Sequence, residues 1–198
     1  MTDDSTASLE PFLAPDDHID WKTPSVLKRA EELSRGRKDA TEVAAACFRF
    51  VRDEVQHSGD HARDEGTCRA SDVLRHATGW CYAKSHLLAA LLRANGVPCG
   101  LGYQRLSVHD DGAPYCLHGL NAIYLDGVGW YRVDARGNKP GVEAEFCPPV
   151  EQLAYAASAA GEQDLAGVHA TPHPAVLRLL STCNSCQEVL DNLPDVHH

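Results

Sequence analysis

The sequence predicts a single α+β domain in which a central helix packs against an antiparallel sheet. Apolar residues recur at helical spacing up to about residue 95, alternate with period two from about residue 101, and return to helical spacing near the end. The length of 198 residues is that of one domain, since roughly 100–200 residues per domain are usual. We expect an acidic extended lead-in over residues 1–22 and the domain over residues 23–192.

Charge and hydropathy exclude several classes of protein. Eighteen Lys and Arg against 28 Asp and Glu give a net charge of -10, and no basic run offers a phosphate-binding patch. No apolar stretch is long enough to cross a membrane, and the acidic start lacks the features of a secretory signal. We therefore expect a cytoplasmic protein that binds neither nucleic acid nor membrane. The sequence leaves its oligomeric state open.

Two helices are expected at the start of the domain. Thr23 and Pro24 are typical of a helix start, and the apolar spacing that follows ends at Gly36. Asp39 with Glu42 three residues later predicts a capping box that begins the second helix. After a polar stretch, a short helix is expected over residues 70–77.

The most apolar helix is predicted over residues 80–95, where Gly96 and Pro98 end it. Its leucine-rich face makes it the central helix of the core. Strands are predicted at 101–108, 117–125 and 130–135, with Asp126-Gly127 as the turn between the last two, and further helices at 148–161 and 174–190.

Cys81 is the first candidate for chemistry, because it stands where the central helix begins. The first N–H groups of a helix have no intrahelical partner, and the positive end of the helix dipole stabilises a thiolate. The same N–H groups can bind the oxyanion that forms when sulfur attacks a carbonyl. The competing interpretation is that Cys81 is one of eight ordinary thiols, which are too few for a disulfide scaffold.

A nucleophilic cysteine needs a base, and the base needs a group that orients its ring. His118 and Asp134 lie on neighbouring predicted strands. In an antiparallel hairpin, the numbers of any two paired residues have the same sum. If this sum is 252, His118 pairs directly with Asp134, and if it is 254, the two residues lie diagonally on one face. A sum of 253 separates them onto opposite faces. The pair therefore requires an odd-length loop or a bulge.

Three separated motifs of this sequence resemble those of a known protein family. Residues 79–98 (GWCYAKSHLLAALLRANGVP), 117–122 (LHGLNA) and 130–138 (WYRVDARGN) resemble the bacterial transglutaminase-like family, over roughly residues 40–155. The resemblance implies a papain-like fold and a Cys-His-Asp triad in that chain order. These roles fall on Cys81, His118 and Asp134 as catalytic residues.

The resemblance also leaves questions open. Papain-like sites often complete their oxyanion hole with a side chain upstream of the nucleophile, and we expect it near Gln56 and His57 without a motif that fixes it. Enzymes with this triad hydrolyse peptides, deamidate, cross-link or transfer acyl groups, and the fold does not choose among them.

Other signals are weaker. His86, five residues after Cys81, lies about 140° around the helix axis and cannot readily reach the sulfur. Cys183 and Cys186 form a CxxC that, with His169 and His173 upstream, is compatible with a zinc or dithiol site. The two cysteines fall on an apolar helix face, so we favour core thiols and predict no metal and no cofactor.

We therefore predict thiol-dependent acyl transfer or hydrolysis on a peptide, protein or small amide substrate through a thioester. The alternatives are a catalytically idle binding protein of the same fold and a zinc or dithiol protein that uses the C-terminal cysteine pair.

Overall fold

The computed structural model describes residues 8–109 and 112–196. After a 3-10 turn at Glu10–Phe12, its helices are α1 (Pro24–Ser34), α2 (Ala40–Glu54), α3 (Ser58–His61), α4 (Ala70–His76), α5 (Cys81–Ala94), α6 (Pro174–Thr182) and α7 (Cys186–Asp191). Its strands are β1 (Gln56–His57), β2 (Thr78–Gly79), β3 (Cys99–Ser107), β4 (Tyr115–Leu125), β5 (Gly129–Val133), β6 (Glu145–Cys147), β7 (Val150–Gln152) and β8 (Gln163–Asp164).

Helix α5 is the centre of the molecule, as the sequence predicts. Every residue from Cys81 to Arg93 is buried, and the helix contacts α1, α2, α4, β3 and β4. The main sheet has the order β5-β4-β3-β8, and the pairs β5-β4, β4-β3 and β3-β8 are all antiparallel. The predicted α+β class, with a central helix on an antiparallel sheet, is confirmed.

The helix starts follow the predicted local signals. Thr23 precedes Pro24 at the start of α1, although its side chain makes no capping hydrogen bond. At α2, Asp39 Oδ1 accepts a hydrogen bond from the Glu42 amide at 2.8 Å. The Glu42 carboxylate closes the box on the amide of Lys38 at 3.0 Å.

The described part of the predicted lead-in, residues 8–22, packs against the domain. Ile19 is fully buried in the core, and Trp21 Nε1 donates to the carbonyl of Leu13 at 3.1 Å. Asp20 accepts from the amide and the hydroxyl of Ser71 at 3.0 and 2.6 Å. The boundary at residue 22 stays a prediction.

The helix predicted over residues 148–161 is wrong. Residues 150–152 form β7, which pairs with β6, and the chain from Leu153 to Glu162 has no helix. Tertiary hydrogen bonds hold this segment in its irregular path. Gln104 Nε2 donates to the carbonyl of Tyr155 at 3.3 Å, and the Tyr115 hydroxyl donates to the carbonyl of Ala160 at 2.7 Å. These partners outweigh the local helical preference of an alanine-rich stretch.

The helix predicted over 174–190 is broken into α6 and α7. Ser185 caps α7 by accepting from the Glu188 amide at 3.2 Å, and Asp64 accepts from the Cys186 amide at 2.8 Å. A serine whose hydroxyl satisfies the amides of a new first turn starts a second helix instead of continuing the first.

The C-terminal segment after α7 is fixed to the sheet. The amide of Leu117 in β4 donates to the carbonyl of Pro194 at 2.7 Å. Arg105 in β3 binds both carboxylate oxygens of Asp195, at 2.6 and 2.7 Å. Residues 192–195 therefore lie at the end of the sheet where β3 and β4 present their cleft-facing side chains.

Within residues 8–109 and 112–196, no helix combines the length and the apolar character that crossing a membrane requires.

Candidate active site

Cys81 occupies the first turn of α5, with Trp80 as the extended residue before it. The short parallel pair β1-β2 positions this helix start, because Gln56 pairs with Thr78 and His57 with Gly79. The Cys81 side chain is buried but not sealed, with 7% of the residue exposed. The structure thus places this thiol at a helix N-terminus, as the sequence predicts, with unpaired amides beside it.

His118 in β4 and Asp134 just after β5 lie together. His118 Nε2 is 2.6 Å from Asp134 Oδ2, and both residues are buried. The second carboxylate oxygen, Oδ1, accepts from the amide of Arg136 at 3.1 Å. With Nε2 directed at the carboxylate, Nδ1 is the ring nitrogen left for a hydrogen bond with Cys81.

The register of the β4-β5 hairpin explains why this pair forms. Asn121 pairs with Val133 and Leu125 with Gly129, so paired numbers sum to 254 around a three-residue turn. This is the diagonal arrangement, and the odd-length loop is the one that the sequence argument requires. This register brings His118 and Asp134 within hydrogen-bond distance.

The electrostatics of the pair favour the charged ring. Burial lowers the pKa of His118, but the charge of Asp134, the thiolate of Cys81 and hydrogen bonds with both outweigh it and raise the pKa to about 10. Burial raises the pKa of Asp134, and the His118 charge and hydrogen bond more than compensate, so the net shift is downward. The charged form of His118 is therefore favoured beside the carboxylate of Asp134.

The cysteine and the histidine open into one cleft with a volume of about 710 Å³. Its lining combines charged and apolar side chains. The charged and titratable ones include His57, Asp60, Arg136 and Lys139. The apolar ones include Leu106 of β3, Val108 just after it, Leu190 of α7 and Leu193.

The charged side chains of the cleft form one ion-pair cluster. Asp60 contacts Arg136 Nη2 at 2.7 Å and Lys139 Nζ at 2.7 Å, and Arg136 Nη2 also lies 3.2 Å from Nδ1 of His57. Burial raises the pKa of Asp60, and the Lys139 hydrogen bond with the nearby charges outweighs it and lowers the pKa. Sequence reasoning missed Asp60, Arg136 and Lys139, because 76 or more positions separate Asp60 from the other two.

Of the two residues expected near the oxyanion hole, the structure brings only His57 to the cleft. Gln56 is exposed and accepts a hydrogen bond from Arg63 at 2.6 Å. His57 is 9% exposed, and its ring makes an edge contact with Trp80, with centroids 5.4 Å apart.

Tyr155 is a further residue that the sequence did not single out. Its ring stands edge-on to the His118 ring, with a centroid distance of 5.1 Å and an interplanar angle of 88°. It lies in the segment whose predicted helix is wrong, and it covers one side of the candidate base.

The residues behind the weaker sequence signals, His86 and the C-terminal cysteine pair, do not line the cleft. His86 is fully buried and its Nδ1 lies 2.8 Å from the carbonyl of Cys68. Cys186 is buried, and its thiol donates to the carbonyl of Ser58 at 3.6 Å. Among the described residues, no three His, Cys, Asp or Glu side chains are grouped to hold a metal ion. All eight cysteines are free thiols.

A solved structure shares this architecture. A protein of Cytophaga hutchinsonii described as a candidate cysteine protease is 20% identical, with a TM-score of 0.52 over 67% of this chain and 43% of that one. The periplasmic domain of TgpA from Pseudomonas aeruginosa is 20% identical, with a TM-score of 0.47 over 66% and 48% of the two chains. The chain thus spans less than half the length of these proteins. At such identity the likeness concerns the fold alone.

No curated protein matches the sequence. A family model described as the transglutaminase-like superfamily matches residues 28–135, which include α5, β4 and the Cys81, His118 and Asp134 positions. This match covers more than half of the chain and agrees with the resemblance found in the sequence motifs, so the chain belongs to the transglutaminase-like superfamily.

Proposed function

We propose that the protein transfers or hydrolyses acyl groups of amide substrates, with Cys81 as nucleophile, His118 as proton carrier and Asp134 as the group that orients and charges His118. The observation that carries this proposal is the meeting of three features in one cleft. These are a thiol at a helix N-terminus, a histidine that hydrogen-bonds to it, and a buried carboxylate 2.6 Å from that histidine.

We propose a resting pair in which the proton of the Cys81 thiol already lies on Nδ1 of His118. The sulfur forms a bond to the amide carbonyl carbon, and the carbonyl π electrons move to oxygen, where the amide of Cys81 donates a hydrogen bond. When the C–N bond breaks, His118 returns the proton to the leaving amine. The product is a thioester on Cys81.

The second half of the reaction decides the class of enzyme. Water that attacks the thioester completes a hydrolase or deamidase cycle, and an amine completes a transamidation. In both cases His118 takes a proton from the incoming group and Cys81 leaves as thiolate. We propose a peptide, protein or small amide as acyl donor, because the cleft offers both charged and apolar walls beside the sulfur.

The proposal is tested with iodoacetamide and intact-mass analysis. Wild-type protein is expected to take up one carbamidomethyl group rapidly, and Cys81→Ala to lose this fast reaction. Cys116→Ala is the matched control, because Cys116 lines the same cleft but burial raises its pKa to about 11. Fast labelling that persists in Cys81→Ala would place the reactive sulfur elsewhere and overturn the proposal.

A panel of amide substrates separates an enzyme from a binding protein with the same site. Turnover or a thioester adduct in the wild type, absent in Cys81→Ala, supports catalysis. A wild type that is alkylated rapidly but forms no thioester with any amide or activated ester favours the idle binding protein.

A cytoplasmic location stays a prediction, in keeping with eight free thiols.

A further inference from the structure

Lys139 is a cation of the cleft that the reaction above does not use. Its side chain is 43% exposed, and it lines the same cleft of about 710 Å³ as Cys81 and His118. A cleft of this volume holds a ligand of small-molecule size. An acyl group attached to Cys81 therefore shares one space with the Lys139 amine.

A tight turn fixes the backbone of Lys139. Its amide donates to the carbonyl of Val142 at 3.0 Å, and the Val142 amide donates back to the carbonyl of Lys139 at 2.8 Å. Pro140 and Gly141 lie between them, and the φ of Gly141 is +81°, which glycine adopts without strain. Gly141 and Val142 also line the cleft, so the turn places Lys139 at its wall.

The ion pair with Asp60 leaves part of the Lys139 amine free. Nζ of Lys139 lies 2.7 Å from Oδ1 of Asp60, while Oδ2 lies 2.7 Å from Nη2 of Arg136. An ammonium group has three N–H donors, and among residues 8–109 and 112–196 only Asp60 accepts from this one. The other donors are available to a ligand in the cleft.

The ion-pair cluster has more positive than negative charge. Arg136 and Lys139 are both cationic, and Asp60 is its single carboxylate. Burial, and then the charge of Arg136, lower the pKa of His57 well below 6.5, so this ring adds no charge at neutral pH. Because Arg136 is 4% exposed and already contacts Asp60 and His57, the cation that a ligand meets is Lys139.

The other carboxylate of the cleft lining, Glu162, has partners of its own. Its Oε1 accepts from the amide of Ser107 at 2.9 Å, and its Oε2 accepts from the amides of Ser158 and Ala159 at 3.1 and 3.0 Å. Both carboxylates of the lining are therefore satisfied within the protein, and Lys139 is the charged group with unused hydrogen-bonding capacity.

The position of the cluster indicates which part of a substrate it contacts. The leaving amine lies against His118, because His118 returns the proton to it. The cluster instead adjoins the residue before Cys81, since the His57 ring meets Trp80 edge-on at 5.4 Å and its Nδ1 lies 3.2 Å from Arg136. The part of the substrate that faces the cluster is therefore the acyl part, which stays on the sulfur.

We propose that Lys139 selects acyl donors that carry a carboxylate, which binds to the Lys139 amine while the amide carbonyl lies at Cys81. This inference rests on the proposed function and names the class of its substrate. Lys139 determines specificity and makes no bond to the reacting atoms. Because the chain has a net charge of -10, an anionic substrate is repelled at long range and depends on such a local cation.

The test compares two activated esters of the same shape. One is the mono-p-nitrophenyl ester of adipic acid, which has a free carboxylate, and the other is the p-nitrophenyl ester of adipic acid monoamide, which is neutral. In both, the Cys81 sulfur forms a bond to the ester carbonyl carbon, the C–O bond breaks, and p-nitrophenolate leaves with the bonding electrons. The same pair made from suberic acid extends the reach of the carboxylate.

Wild-type protein is expected to react faster with the acid than with the monoamide at neutral pH, in at least one of the two pairs. The expected ratio of the two second-order rate constants is about 3 to 10, between the effect of an exposed ion pair and that of a charged hydrogen bond. Cys81→Ala gives the background for all four esters.

Charge variants test the origin of this ratio. Lys139→Met is expected to lose the preference for the acid, and Lys139→Arg to keep it. Asp60→Asn removes the negative charge of the cluster and is expected to raise the ratio. Lys28→Met, at an exposed position of α1 outside the cleft, is the matched control and should have the wild-type ratio.

The outcomes separate this inference from the proposed function. If no ester acylates Cys81, the proposed function fails. If the wild type shows no preference for the acid in either pair, or if the preference survives in Lys139→Met, this inference is wrong, while acylation of Cys81 still supports the proposed function. A ratio that falls in Asp60→Asn as it does in Lys139→Met would show that the cluster acts only through the fold, and would also overturn the inference.

Discussion

Replacement of Asp134 by asparagine removes one charge from the candidate triad and conflicts with the observed hydrogen bonds. Both carboxylate oxygens accept, Oδ2 from His118 and Oδ1 from the Arg136 amide. The side-chain amide of asparagine has one acceptor, its oxygen, and one donor, its NH₂ group. The NH₂ group must therefore face one of the two N–H donors, that of His118 or that of the Arg136 amide, and this hydrogen bond is lost. If the NH₂ group turns to His118, Nε2 must give up its proton, and Nδ1 then carries the proton and cannot take another from the thiol.

The size of the effect follows from the geometry of the pair. With Nε2 and Oδ2 2.6 Å apart, the centres of charge are about 4 Å apart, where an effective dielectric constant of about 20 gives about 4 kcal/mol. Each 1.36 kcal/mol changes a rate or population about tenfold. The thiolate population that the imidazolium supports is therefore expected to fall as much as about 10³-fold in Asp134→Asn.

The assay is the rate of Cys81 alkylation by iodoacetamide between pH 6 and pH 10, followed by intact mass. Because the pKa of His118 is raised from 6.5 to about 10, the imidazolium persists up to about pH 9, and the wild-type rate is expected to be nearly level up to that pH. In Asp134→Asn the rate should be low at neutral pH and rise with pH as hydroxide, not His118, ionises the thiol.

Asp17→Asn, at an exposed carboxylate, is the matched control and should leave the rate profile unchanged. A folded Asp134→Asn protein with the wild-type rate at pH 7 would refute the reasoning, since the carboxylate would then have no part in charging His118.

Three further substitutions test the packing around the site. A Cβ at Gly119 lies 2.9 Å from Cδ1 and 3.2 Å from Cα of Tyr82, so Gly119→Ala is expected to push β4 from the start of α5, destabilise the fold by about 1–3 kcal/mol and slow alkylation of Cys81. An unchanged melting temperature and alkylation rate would contradict this contact. Leu88→Ala, at a fully buried position of α5, should lower the free energy of unfolding in urea by about 2–5 kcal/mol, whereas Leu27→Ala, which is 40% exposed, should have little effect. Burial lowers the pKa of Lys84 from 10.5 to about 7, so the unfolded chain binds more protons between these values and the free energy of unfolding gains a contribution that rises with pH, by at most about 1.4 kcal/mol per unit. Denaturant titrations of Lys84→Met should lack this contribution, and an identical pH dependence in both proteins would show that folding does not lower the pKa of Lys84.

Local signals predicted the elements whose ends are set by neighbouring residues. The Asp39 and Glu42 box and the Asp126-Gly127 turn act over three or four positions, so a single sequence reveals them. The segment around Tyr155 was misread because its hydrogen-bond partner, Gln104, lies 51 positions away in the chain. An alanine-rich pattern contains no information about such a partner.

The separation of interacting residues along the chain also explains which parts of the site the sequence predicts. Cys81 stands out by its place at a helix start, and the alternation of the strands restricts His118 and Asp134 to a few registers. The link between His57 and Arg136 depends on how β1 and the loop after β5 are brought together, with 79 positions between the two residues. Only the folded chain reveals it.

The hydrogen bond from Leu117 to Pro194 has a consequence for handling the protein. β5 pairs with β4 only over residues 121–125, and the C-terminal segment takes up the Leu117 amide beyond that point. By occupying this amide, the C-terminal segment prevents another strand from pairing with β4 there. Shortening the chain before Pro194, or attaching a rigid fusion partner there, would free a backbone template for intermolecular strand exchange, and we expect such preparations to self-associate.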